Sequence, residues 1–129
     1  MTPFGERLEQ IRRSRGLKQV ELAELIDVKA SYVSVLERGF KGAPSKFVLK
    51  KIIDKLKLSE KEKSLLLYDA AITDFSFKIP PGTTRSEFEL LHKLKKHLGS
   101  LSDQQVLVMK TILEMGKFNR ETEGGFMEN

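Results

Sequence analysis

Residues 17–39, LKQVELAELIDVKASYVSVLERG, constrain this chain more than any other stretch. Val20, Leu22, Ala23, Leu25 and Ile26 recur at helical spacing and predict a short helix with an inward apolar face. Asp27-Val28 interrupts the pattern. A second apolar set, Val33 and Leu36 with Tyr32 beside them, then runs until Gly39 stops the helix. Ala23 is small where two short helices joined by a tight turn would cross closely, and a larger side chain there would push them apart. Such a pair leaves its second helix free to enter a DNA major groove, although periodicity alone fits any short helical hairpin as well.

The particular residues go further. Ile11-Arg12 stands ahead of Gly16-Leu17, Gln19 precedes the Leu22-Ala23 pair, and Val28 lies in the turn. Tyr32-Val33-Ser34 and Leu36-Glu37-Arg38-Gly39 make up the second helix and its end, and Pro44-Ser45 opens the next. From residue 4 to about residue 58 this pattern resembles the Cro/Xre-type (lambda-repressor-like) DNA-binding domain. The resemblance implies an all-α, five-helix domain whose helix-turn-helix reads double-stranded DNA. It also implies base-facing side chains at Ala30, Ser31, Ser34 and Val35, a phosphate contact from Gln19, and an ion pair between Arg12 and Glu37.

Chemistry gives each of these roles content. Gln19 opens its helix, where unpaired backbone N–H groups favour an anion and its amide can donate to the same phosphate. Lys18, Lys29, Arg38, Lys41 and Lys46 flank the two helices, with Tyr32 at the edge; such contacts set register and salt-dependent affinity without reading bases. Ala30 and Val35 depart from the common pattern of Arg, Gln or Asn, because neither forms a bidentate hydrogen bond. They suit thymine methyl groups, while Ser31 and Ser34 offer single adaptable hydrogen bonds. The resulting expectation is an operator with A·T pairs under the helix and help from DNA shape. Glu37 beside phosphate needs a cation, which supports its pairing with Arg12. Asp27 replaces the glycine often found in this turn, and tolerates a left-handed backbone better than most side chains.

Charge agrees with this division. Residues 1–63 hold 15 Lys/Arg against 9 Asp/Glu, whereas residues 64–129 hold 8 against 9, so the basic excess lies with the motif. The chain has no cysteine, which excludes a disulfide framework, a thiol nucleophile and a Cys-based zinc site. It has no apolar run of membrane-spanning length and no basic-then-apolar leader, so a cytoplasmic protein is expected.

The rest of the first domain, placed at residues 1–72, reads directly. Phe4, Leu8 and Ile11 form the inner stripe of helix one, and Phe47, Val48, Leu49, Ile52, Ile53 and Leu56 are expected to supply helix four's core. Ser59 with Glu62 fits a capping box opening a helix to about residue 72, with Leu65, Leu66 and Tyr68 closing the domain. Residues 73–83 read as an extended linker. Phe75, Phe77 and Ile79 alternate there as in a short strand, before Pro80-Pro81-Gly82 forces a turn. Residues 84–120 then predict a two-helix hairpin, and residues 121–129 a frayed, disordered tail.

Two helices bury little on their own, so the hairpin is expected to dimerise, dock on the first domain, or bind a partner such as an antirepressor or toxin. Phe75, Phe77, Ile79, Phe88, Leu91, Leu94, Val106, Met109 and Leu113 are its candidate contacts. No catalytic constellation, cofactor or metal site is expected. His92 and His97 are five residues apart, off the spacing that stacks two ligands on one helical face. The C-terminal half is also too short for a self-cleaving peptidase domain. The reading is therefore a transcriptional repressor binding a palindromic operator as a homodimer. The alternatives are an antitoxin that represses its own operon, and a protein-interaction module with weak DNA binding.

Overall fold

The computed structural model describes the backbone of residues 1–127 and the side chains of residues 1–115. Its elements are all helices: α1 Pro3–Ser14, α2 Gln19–Leu25, α3 Ala30–Arg38, α4 Lys46–Lys55, α5 Glu60–Thr73, α6 Arg85–His97 and α7 Asp103–Met127. They divide into two units, Met1–Phe77 and Lys78–Asn129. The first unit therefore extends five residues past the boundary expected at 72.

The first unit is built around α1. Thr2 caps it, its hydroxyl accepting the Gly5 N–H at 3.0 Å, and Pro3 occupies a position whose N–H has no helical partner. Phe4, Leu8 and Ile11 then face inward with Leu22, Ala23 and Ile26 of the α2 segment, Val33 and Leu36 of α3, Ile52 and Leu56 of the α4 segment, and Leu66 and Ala70 of α5. Each fully buried Leu, Ile or Phe in such a core contributes roughly 1.5–3 kcal/mol. At Gly5 the packing is so close that a Cβ would stand 2.5 Å from the Leu36 carbonyl oxygen. Only glycine lets α1 approach the end of α3 that far.

Four expected core residues lie elsewhere. Val20 and Leu25 of α2 are exposed, as are Phe47 of α4 (68 %) and Tyr68 of α5 (63 %). A helix directs one arc inward. Leu22, Ala23 and Ile26 fill that arc in α2, Ile52 and Leu56 in α4, and Leu66 and Ala70 in α5, so apolar residues outside it meet solvent. Val48, Leu49 and Ile53 are half-buried against the core, and the exposed Phe47 ring carries the Lys51 ammonium 4.6 Å from its centroid.

Polar contacts join α1 to α5. Arg7 Nε donates to the Asp69 carboxylate at 2.6 Å, and the Phe4 N–H donates to Thr73 Oγ1 at 3.0 Å. Arg15 donates to both carboxylate oxygens of Glu62 and to the Leu56 carbonyl, linking α1 with the end of α4 and the start of α5. Glu62 also accepts the Ser59 N–H at 3.0 Å and Ser59 Oγ accepts the Glu62 N–H, completing the capping box.

No strand occurs among the described residues, so the extended linker is not a strand. Alternation alone cannot make one without a partner edge; instead the Phe75 and Phe77 rings stack at 6.2 Å. In the second unit, Thr84 with Glu87 caps α6, and Ser102 with Gln105 caps α7. No residue from 78 to 115 is buried. The backbone of α7 continues to Met127, past the start of the tail expected at 121, and residues 128–129 lie outside the described residues.

Glu62 yields a pH prediction. The Arg15 hydrogen bonds, then that from the Ser59 N–H, hold its pKa down from 4.5 to about 2. A carboxylate with a depressed folded pKa stabilises the fold above its unfolded value, and that contribution is lost as pH falls toward the folded one. Glu62→Gln keeps a cap acceptor but removes the charge. The difference in urea midpoint between wild type and variant should be greatest above about pH 5 and disappear near pH 2; a difference constant with pH would contradict this.

Candidate nucleic-acid interface

The turn between α2 and α3 depends on one left-handed residue. Asp27 has φ 57°, which lets the Val28 N–H reach back to the Ala23 carbonyl at 3.0 Å and redirects the chain into α3. Ala23 is buried in the angle between the helices. Gly39, at φ 81°, ends α3, its N–H bonding to the Val35 and Leu36 carbonyls.

Arg12 and Glu37 meet across the base of the motif. Arg12 Nε donates to Glu37 Oε2 at 2.7 Å, Nη2 to Oε1 at 3.0 Å, and Nη1 to the Leu17 carbonyl at 2.7 Å. Arg12 is 8 % exposed and Glu37 3 %. Hydrogen bonding to Glu37 outweighs burial and raises the Arg12 pKa above its ordinary value. Gln19 joins the pair: its Nε2 donates to Glu37 Oε1 at 3.0 Å. Its amide, expected only at phosphate, is therefore first a brace between α2 and α3, with one N–H left over.

Around this brace the other positions divide. Lys18, Lys29, Arg38, Lys41 and Lys46 are exposed, and Lys41 Nζ stands 5.8 Å from the half-buried Tyr32 ring. Ser31 is exposed; Ser34 and Val35 are half-buried on α3. Ala30, expected to face bases, is half-buried and packs partly against the core.

Sequence reasoning missed Arg13. It shares a shallow notch with Gln19, Arg38 and the exposed Phe40, and pairs with Glu9 at 2.7 Å. Its only signal was its place in a basic last turn of α1. Sequence reasoning also missed an open hollow of Val28, Ser31, Tyr32 and Val35, with Lys29 and Lys41 at its rim.

The residues proposed for partner contact separate as well. Leu91, Leu94, Val106 and Met109 are half-buried, whereas Phe75, Phe77, Ile79, Phe88 and Leu113 are exposed. Ile112, expected in the apolar set of this helix, is exposed too, as are Leu107, Val108 and Met115 of α7, which were not anticipated.

Two stability predictions follow from the motif. Arg12→Ala leaves the Glu37 charge buried without its cation and should cost about 3–5 kcal/mol in urea unfolding, whereas Arg12→Met with Glu37→Met should cost clearly less. Equal losses would mean that the unpaired charge is not the source. At the turn, Asp27→Gly should raise stability by about 0.5 kcal/mol and Asp27→Val lower it by about 1 kcal/mol or more, since a β-branched side chain resists positive φ.

Known proteins resemble part of this chain in sequence. Residues 8–63 match the family model described as helix-turn-helix. Over 58 residues the chain is 34 % identical to the uncharacterized HTH-type transcriptional regulator RghRB of Bacillus subtilis (strain 168), a match covering 45 % of this chain and 42 % of that relative. The chain thus matches less than half the relative's length. Among solved structures, a SinR protein/SinI protein complex chain shows 27 % identity, covers 92 % of this chain and 98 % of its own, and gives a TM-score of 0.43. Residues 8–63, less than half of the chain, thus carry the match to the helix-turn-helix family model, of the Cro/C1 type.

Proposed function

We propose that the chain is a sequence-specific DNA-binding transcriptional repressor that occupies a palindromic operator as a homodimer. The observation that carries this reading is the buried Arg12–Glu37 pair, joined by Gln19, which ties α3 to α1 and α2 with Ser31 exposed and Val35 half-buried among exposed cations. In this reading α3 lies in the major groove. Lys18, Lys29, Arg38, Lys41 and Lys46 neutralise phosphates, with Tyr32 and the remaining Gln19 N–H donating to the backbone. Ser31, Ser34 and Val35 read bases, and Ala30 shapes the start of the helix.

The second unit supports the dimer. With no buried residue from 78 to 115, and with Phe88, Leu107, Ile112 and Leu113 exposed, α6 and α7 show no core of their own among the side chains described. A second copy covering them would join two recognition helices and match the two-fold symmetry of a palindrome.

Two measurements test these parts separately. Binding to DNA from the region upstream of the chain's own gene, against scrambled DNA at two salt concentrations, should show a preference for the former and a steep salt dependence for both. Absence of any binding would overturn the DNA-reading function. Sedimentation should give twice the 14.7 kDa chain mass, and Ile112→Asp with Leu113→Asp should return it to 14.7 kDa. A monomeric wild type would reject the homodimer.

A further inference from the structure

The hollow between the turn and the outward side of α3 has an unusual lining for a surface expected to read hydrogen-bonding edges. The side chains of Val28 and Val35 and the Tyr32 ring line it together with Ser31, Lys29 and Lys41. Val28 and Tyr32 also pack against the core, so two of its walls are set by folding itself. Lys29 and Lys41 stand on the rim, with the Lys41 ammonium near the Tyr32 ring.

Among the groups that base pairs expose in the major groove, the thymine 5-methyl is the apolar one. An adenine or cytosine amino group pressed against Val28 and Val35 would lose water without gaining a partner, which is unfavourable. The rim lysines suit the phosphates that accompany any base in the groove. They also oppose a second copy of this chain, whose matching face would bring the same charges. We propose that this hollow takes the 5-methyl group of a thymine, with Ser31 Oγ donating to the adjacent O4. The proposal rests on the DNA-reading function above and moves the apolar contact from Ala30 to Val28, Tyr32 and Val35.

The test uses the full chain and a random-sequence duplex library. After selection of the preferred duplex, each thymine is replaced in turn by deoxyuridine, which removes only the methyl group. One thymine per half-site should respond, each replacement weakening binding about fourfold, the effect of burying one methyl-sized group. In Val35→Ser that response should vanish. A selected duplex in which no thymine responds overturns the methyl assignment and leaves the DNA-reading function standing. A library that yields no enriched sequence overturns both.

Discussion

Arg12 and Glu37 lie 25 residues apart, yet their two hydrogen bonds determine how the motif can be presented. Glu37 sits near the C-terminal end of α3, where the helix's own carbonyls already make the surroundings negative, and a phosphate backbone would add to that. The guanidinium neutralises it in place. Because Arg12 also holds the Leu17 carbonyl and Glu37 also holds the Gln19 amide, one ionic contact relates α1, the loop before α2, α2 and α3. A buried pair of this kind is a weak source of net stability, since desolvation consumes most of the attraction. What it contributes is position: any rotation of α3 that breaks it leaves two charges stranded.

The same division of labour runs through the first unit. Its apolar core supplies the driving force, and its polar seams choose the arrangement. Arg7 with Asp69 and Arg15 with Glu62 lay α5 along α1, while α3 rests on the opposite constraint of the Gly5 approach. The second unit is arranged differently. Its two helices are capped by Thr84 with Glu87 and Ser102 with Gln105, so local chemistry defines where they begin, but nothing between residues 78 and 115 is buried.

This contrast also explains what could be read from the residues alone. The inner stripes Phe4–Leu8–Ile11 and Leu22–Ala23–Ile26 were legible because a 3.6-residue period allows one face, and the turn because Asp27 tolerates the left-handed region. Phe47, Val20 and Tyr68 were misplaced because these helices carry more apolar residues than their inward arcs hold. Arg7–Asp69 and Arg15–Glu62 span 62 and 47 residues, and no local pattern announces a pair at that range. Gln19 was assigned to phosphate on the family resemblance and the chemistry of a helix start; its bond to Glu37 depends on a crossing angle that spacing does not encode. The hollow was hidden for a related reason, since it joins a turn residue to positions 31, 32 and 35 of the following helix.

Gly5 carries the least chemistry of any residue in this scheme and has the widest reach. It contacts the carbonyls of Leu36 and Glu37 through the absence of a side chain. A methyl group there would have to push α1 away from α3, and Arg12 would be carried off with the helix that bears it. Under the proposed DNA-reading function, a genetic screen for loss of operator binding would therefore score substitutions at position 5 like lesions of α3, although the residue is buried. Mapping a binding surface from phenotypes would then overstate it by the footprint of this helix crossing.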